Sequence, residues 1–264
     1  NREMDSVVVF AANPSAFSTS ETNHGVEAAA RKRRFLLNIV SLDESDMDSV
    51  KARVRMGLSI RPAGVIVYEY DRAGIAALEY IPKDMPMVVV GGSFGDGEYQ
   101  VINAERVGGR WMTMHLLDLG HRTVFHVGRP EGPTDNTRTN GWRDALKERG
   151  VTAPDPIIVP DDDLEESVKA GRTLGRRGDV TAIFAGNDET AIAVIRGLRE
   201  VGRRVPADVS VVGFDDRNFG AMWNPALTSY TQNFLDMGER SFRMLFEQIQ
   251  AKRAGDDAPP SQVE

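Results

Sequence analysis

Side chains suited to gripping a small polyhydroxyl molecule recur at one kind of place in this chain, just past short apolar runs. Asn13 and Phe17 follow the run at 7–12, and Thr134 and Arg138 follow the run that ends at Val127. Asn187 and Asp188 follow 182–185, Asp215 and Asp216 follow 209–214, and Gln232 and Phe234 follow 227–230. An arginine beside carboxylate and amide groups can bond vicinal hydroxyls in pairs, and a phenylalanine ring can stack on a sugar face. If the runs are strands of a doubly wound sheet, their carboxyl ends share one edge and these side chains converge on one crevice. The same residue types also serve as helix N-caps and turn residues. For Asp188, which opens a helical stretch, capping is the expected role.

Other chemistries lack their parts. Gly91-Gly92-Ser93-Phe94-Gly95 has the G-x-S-x-G spacing of a nucleophile elbow. An elbow needs a helix next, whereas Asp96-Gly97 and a strand-like 99–102 follow, so the segment reads as a glycine turn at a sheet edge. Of the four histidines, His24 opens the first helix, His115 and His121 flank a helix end, and His126 lies in a strand. None pairs with another histidine or a carboxylate at metal-ligand spacing. No phosphate-cradling G-x-x-x-x-G-K-[ST] loop occurs, and no G-x-G-x-x-G follows the first strand. The reading is therefore a binding protein with no catalytic set, no metal and no cofactor.

The elements that must position these residues are legible as alternation. Apolar runs at 7–11, 35–40, 65–68, 88–90, 123–127, 157–159, 182–185 and 209–214 are mostly continuous, as in parallel strands buried on both faces. Helical periodicity fills the gaps, which is the βαβ signature. Val107, Trp111, Met114 and Leu117 define one expected sheet-facing stripe, and Ala191, Ile195, Leu198 and Gly202 a second. Leu235, Gly238, Phe242, Leu245 and Ile249 define a third. Gly120, Gly150 and Gly202 sit where helices should stop. The pattern gives an α/β fold, either one long sheet or two doubly wound parallel-sheet lobes joined by crossover strands. Two comparable sets of βα units, before and after the glycine-rich segment, favour two lobes.

Composition narrows the partners. The 264 residues include 32 basic and 39 acidic side chains, a formal charge of −7, so these residues alone should bind nucleic acid poorly. The basic run Arg31-Lys32-Arg33-Arg34 ends a predicted helix, where cations suit the dipole. There is no cysteine, hence no disulfide and no thiolate chemistry. No apolar stretch reaches the roughly 18 residues of a membrane helix. The polar residues 1–6 run straight into a strand, with no signal-peptide pattern.

Several motifs resemble those of the LacI/GalR family of transcription regulators. Leu119-Gly120-His121-Arg122-Thr123-Val124 is similar to the family's LGHR-x-I turn, and Arg138-Thr139-Asn140-Gly141-Trp142 to its R-x-x-G-F. Phe184-Ala185-Gly186-Asn187-Asp188 resembles F-x-x-N-D, and Pro225-Ala226-Leu227-Thr228-Ser229 resembles P-P-L-T-T. Most specific is Arg204-Val205-Pro206-Ala207-Asp208-Val209-Ser210-Val211-Val212-Gly213-Phe214-Asp215-Asp216, close to R-V-P-x-D-V-S-V-V-G-F-D-D. The likeness spans about residues 7–249.

The resemblance implies a periplasmic-binding-protein-like type I fold. It implies an N-terminal lobe at 4–102 plus 232–252, a C-terminal lobe at 103–231 and a tail at 253–264. It carries the family's effector-contacting arginine onto Arg138 and its polar contacts onto Asn187 and Asp215. Gln232 and Phe234 match a hinge pair lining the same pocket, and Asn13 to Phe17 match loosely. Where members often hold an acidic contact after the fourth strand, this chain has Gly91. The function implied is the sensing and dimerisation core of a cytoplasmic regulator that takes a sugar-like effector in the cleft between its lobes. Operator DNA would be met only through an N-terminal helix-turn-helix headpiece not included in these residues. The alternative on the same fold is an exported sugar-binding protein of a transport system.

Overall fold

The computed structural model describes residues 4–43, 45–91, 99–130, 135–160 and 163–256. The expected tail beyond 256 and most of the glycine-rich turn therefore lie outside the described residues. In chain order the elements are β1 (Asp5–Ala11), α1 (Phe17–Lys32), β2 (Phe35–Ser41), α2 (Met47–Ser59), β3 (Gly64–Glu69), α3 (Arg72–Leu78), β4 (Met87–Gly91) and β5 (Gln100–Val101). Then come α4 (Glu105–Asp118), β6 (Phe125–Gly128), α5 (Arg138–Glu148), β7 (Ile157–Ile158), α6 (Leu164–Gly175) and β8 (Ala182–Ala185). The chain continues through α7 (Asp188–Glu200), β9 (Ser210–Phe214), α8 (Asn218–Met222), β10 (Thr228–Tyr230) and α9 (Phe234–Ala254). Two compact units result, one of residues 1–103 with 233–264 and one of residues 104–232.

The first unit is built on a parallel sheet in the order β2-β1-β3-β4-β5. Alternate residues of β1 serve opposite faces. Val7, Val9 and Ala11 join the core under α1 and α9, while Val8 and Phe10 pack with Val50, Val54, Ala73 and Ala77 of α2 and α3. Burial on both faces is why the strand reads as an unbroken apolar run. The second unit repeats the design with the order β10-β9-β8-β6-β7. One face of its sheet packs on α6 and α7, through Leu174, Val194 and Leu198. The other packs on α4 and α5, through Leu116, Trp142 and Leu146. In each sheet the chain winds outward in both directions from a central pair, β1 and β3 in the first and β6 and β8 in the second. Such reversals are where open α/β sheets leave a crevice at their carboxyl edge. No helix among the described residues is long and apolar enough to cross a membrane.

Three expectations need correction. The α4 stripe through Val107 and Trp111 faces outward, at 53% and 64% exposure; only Leu117 of that set is fully buried. The buried face is Gly108, Gly109, Met112, Thr113 and Leu116. A β-carbon at Gly108 would sit about 2.6–2.8 Å from the Phe214 and Tyr230 rings, and one at Gly109 would strike the Arg138 backbone. Close approach thus uses residues that an apolar count ignores. The α9 stripe holds from Gly238 to Ile249, but its first member Leu235 is exposed. The expected strand at 123–127 starts later, at Phe125, where pairing with β8 begins; the Val124 carbonyl before it accepts from the Trp142 indole at 2.8 Å. The helix stops hold: Gly120, Gly150 and Gly202 all take positive φ.

Two buried titratable side chains mark the second unit. His126 stacks between Phe184 and Trp142, with centroids at 4.8 and 5.2 Å. Its Nδ1 lies 2.8 Å from the Phe184 carbonyl and its Nε2 3.1 Å from Thr139 Oγ1, which suits a neutral ring protonated on Nδ1. Burial pushes its pKa down to about 4; the Phe184 carbonyl opposes this, and Arg143 and Arg138 add to it. Asp188 is fully buried and accepts from Ser229 Oγ and the Arg217 N–H, each at 2.6 Å. Burial pushes it up to about 6, against those two hydrogen bonds and with help from the charges of Asp215 and Glu189.

Two outcomes follow for this unit, which contains all three tryptophans, Trp111, Trp142 and Trp223. A β-carbon on Gly141 would meet the Arg110 nitrogen at 2.7 Å and the Arg106 carbonyl carbon at 2.9 Å. Gly141→Ala should therefore cost about 2 kcal/mol or more in urea unfolding followed by tryptophan fluorescence; a loss under about 0.5 would contradict the packing. The pH dependence is the second. His126 loses stability as pH falls from 6.5 toward 4, because only the unfolded chain takes up the proton. Asp188 gains stability over nearly the same window, because the folded chain is protonated first. Each shift is worth about 3 kcal/mol, so the two offset. Asp188→Asn leaves His126 unopposed, and its stability should fall about 3 kcal/mol more than wild type between pH 6.5 and 4. Parallel pH profiles for the two proteins would refute the offset.

Candidate functional site

Arg138 is the first residue of α5, placed there by the N-cap before it. Thr137 has extended backbone, and its hydroxyl accepts the Asn140 N–H at 3.1 Å. The Arg138 side chain is 7% exposed, so its charge must be matched locally. Nη2 donates to Asp215 Oδ1 at 2.9 Å and to Glu105 Oε1 at 3.0 Å. Nη1 donates to the Gly186 carbonyl and, at 3.4 Å, to Asp215 Oδ2. The guanidinium lies 4.0 Å from the centroid of the Phe214 ring, which itself stacks on Tyr230 at 4.9 Å. Among the described residues, Arg138 Nε is buried without a partner.

Asp215 is held in an uncommon conformation. It follows β9 with φ of +90°, and Asp216 follows with +49°. Such left-handed backbone costs an aspartate about 1–3 kcal/mol and persists only where its surroundings fix it. Here the Asp215 N–H donates to the Tyr230 carbonyl at 2.9 Å, and Gln232 Nε2 donates to Asp215 Oδ1 at 2.9 Å. The Asp216 N–H donates to Ser229 Oγ at 3.0 Å, and Thr231 Oγ1 donates to Asp216 Oδ2 at 2.7 Å. Among the described residues, Gln232 Oε1 is buried without a partner. The cluster therefore offers a planar cation, carboxylate oxygens, an aromatic face and unused hydrogen-bonding capacity. Among the described residues no group of three or more His, Asp or Glu side chains could hold a metal.

The second unit thus brings Arg138, Asp215 and Gln232 together at the carboxyl edge of its sheet. Asn187 stands beside them in sequence after β8, but its Oδ1 caps α7 by accepting the Thr190 N–H at 2.8 Å. Capping was expected of Asp188. Asp188 is instead the buried anchor joining Ser229 to the segment at Arg217. Thr134 lies outside the described residues. Asn13, Phe17 and Phe234 belong to the first unit. Asn13 is exposed after β1, its Oδ1 accepting from Ser15 Oγ at 2.9 Å. Phe17 opens α1 and meets Phe234 edge to face at 5.9 Å, with Phe234 itself buried in the core. Sequence reasoning missed Glu105, because a glutamate at the start of a helix is the ordinary complement to the helix dipole. It also missed the buried pair Tyr68 and Asn23, joined at 2.7 Å.

Comparison with known proteins bears on the family and the fold. Residues 113–264 match the periplasmic binding protein-like domain family. The HTH-type transcriptional repressor PurR of Proteus mirabilis is 31% identical over 255 residues, covering 94% of this chain and 74% of that protein. PurR of Yersinia enterocolitica is 30% identical over the same length and shares. Among solved structures, a complex of the transcriptional regulator CelR with cellobiose superposes with a TM-score of 0.80 at 27% identity, covering all of this chain and 82% of that one. A Lac repressor dimer bound to operator and the anti-inducer ONPF gives 0.83 at 23% identity over 100% and 91%, a likeness of fold. These relatives are repressors and regulators, not enzymes. The chain belongs to the LacI/GalR family of transcription regulators, as its two-unit, parallel-sheet effector-binding core.

Proposed function

We propose that this core senses a small sugar or sugar derivative, gripped by Arg138 and Asp215. The observation carrying this reading is the buried Arg138–Asp215 pair at the carboxyl edge of the second sheet, with Arg138 Nε and Gln232 Oε1 unpartnered among the described residues. Paired donors and acceptors around a planar cation suit vicinal hydroxyls. The cellobiose complex of the 27%-identical regulator supports the same class of ligand. Asn187 and Gln232 are proposed as further contacts in this unit, with Thr134 in the segment before α5. Asn13, Phe17 and Phe234 are proposed contacts from the first unit; Phe234 acts through Phe17, since it is itself buried. We further propose that the chain works as a homodimer. Effector binding is passed to operator DNA through a DNA-binding module outside these residues, a reading that the formal charge of −7 favours.

A thermal-shift panel of neutral mono- and disaccharides, with purine bases as a separate arm, tests the effector class. A sugar should raise the melting temperature, and calorimetry should then show its affinity reduced about 10- to 150-fold in Arg138→Ala and Asp215→Ala. That corresponds to the loss of a charged hydrogen bond, about 1.5–3 kcal/mol. Stabilisation by purines alone would overturn the sugar assignment. Unchanged sugar affinity in both variants would overturn the site.

A further inference from the structure

Arginines also gather at the opposite, amino edge of the second sheet, where the chain passes from α7 toward β9. An open cleft of about 390 Å³ there is lined by Arg199, Gly202, Arg203, Arg204 and Val205, three arginines and no acidic side chain. Arg204 is answered, its Nε and Nη2 donating to Asp208 at 3.0 and 2.8 Å. Arg199 and Arg203 meet only backbone carbonyls among the described residues. Arg199 Nη2 donates to the Asn224 carbonyl at 3.3 Å. Arg203 Nη2 donates to the carbonyls of Val180 at 2.7 Å and Asp208 at 3.5 Å, and Nη1 to that of Arg177 at 3.4 Å. Arg203 Nε is buried without a partner among the described residues. The carboxylates around them have closer cations. Glu200 is held by Arg172 at 2.6 Å and Arg196 at 3.0 Å, and Asp179 by Arg177 at 2.8 Å. The Asp208 carboxyl is held well below the usual carboxylate range, first by the Arg204 side chain and last by the charge of Arg203.

We propose that this cleft is a second ligand site, apart from the effector site, and that it takes a small phosphate-bearing molecule. Carbonyl dipoles orient a guanidinium without neutralising it, and the half-buried Arg203 therefore lacks a matching charge. A phosphate supplies that charge, with oxygens spaced to meet a guanidinium fork. Because three carbonyls already fix Arg203, little side-chain freedom is lost when an anion arrives. The carbonyl end of α7, which would repel an anion, is closed over at this point. The N–H groups of Val201 and Arg203 donate to the Leu198 carbonyl, and that of Gly202 to the Arg199 carbonyl. Gly202 has open space where a β-carbon would stand, which keeps the cleft clear. Its volume falls within the roughly 300–1,000 Å³ of small-molecule pockets. α7 separates the two sites, running from its Asn187 cap at the effector edge to this cleft.

Inorganic phosphate tests the site without knowledge of the rest of the ligand. In calorimetry at fixed ionic strength the wild type should bind phosphate saturably in the low millimolar range. Arg203→Gln and Arg199→Gln should each weaken that binding about fivefold or more, as loss of a charge-assisted hydrogen bond requires. Arg199 is exposed, so its variant keeps the test alive should Arg203→Gln fold poorly. Arg31→Gln, which removes an exposed arginine from α1, should bind phosphate as the wild type does. Three results would overturn the proposal: no saturable binding by the wild type, unchanged affinity in both cleft variants, or an equal loss in Arg31→Gln. None of them bears on the sugar reading, whose residues lie at the other edge of the sheet.

Discussion

A buried guanidinium is the constraint on which the second unit turns. Stripping an arginine of water is tolerable only if its charge is matched locally, and removal of one partner leaves an uncompensated charge. Arg138 is answered from three separate stretches: Glu105 at the start of α4, the Gly186 carbonyl after β8, and Phe214 with Asp215 after β9. Gln232, beyond β10, closes the set by donating to Asp215. One side chain thus gathers the carboxyl ends of β8, β9 and β10 with the N-termini of α4 and α5. The left-handed backbone of Asp215 is the cost of aiming its carboxylate at that point.

That meeting depends on how closely two helices approach. Gly109 on α4 lies against the Arg138 backbone, and Gly141 on α5 lies against Arg106 and Arg110. With side chains at those positions, Glu105 and Arg138 could not share a hydrogen bond at 3.0 Å. The same interface is stitched at its margin by Arg106 to Asp144 at 2.6 Å and Arg110 to Glu148 at 2.6 Å. These exposed pairs contribute little each. Their geometry nonetheless agrees with the register that the glycines set.

What was legible in the sequence followed from burial on both faces of a sheet. Continuous apolar runs such as 182–185 located strands well, and glycines just past helical stretches located helix ends, where the structure shows positive φ. Arg138, Asp215 and Gln232 were legible as residues past strand ends, because the topology sends all such positions to one edge. The misses share a cause. The packed face of α4 is made by glycines, so a search for apolar stripes chose Val107 and Trp111, which face outward. Asn187 and Asp188 are adjacent and both suit a cap, and only the fold shows that the amide caps α7 while the carboxylate goes inside. Glu105 carries no local signal, because its partner is 33 residues away across two helices.

The claim that effector and fold use the same arginine is tested most directly at Arg138 Nε–H, which is buried without a partner among the described residues. Its proton–nitrogen signal can be assigned by its loss in Arg138→Lys and followed while a stabilising sugar is titrated into the wild type. The account predicts that this resonance moves and saturates with the calorimetric affinity. A signal that stays fixed while the sugar binds would place the effector elsewhere and contradict it.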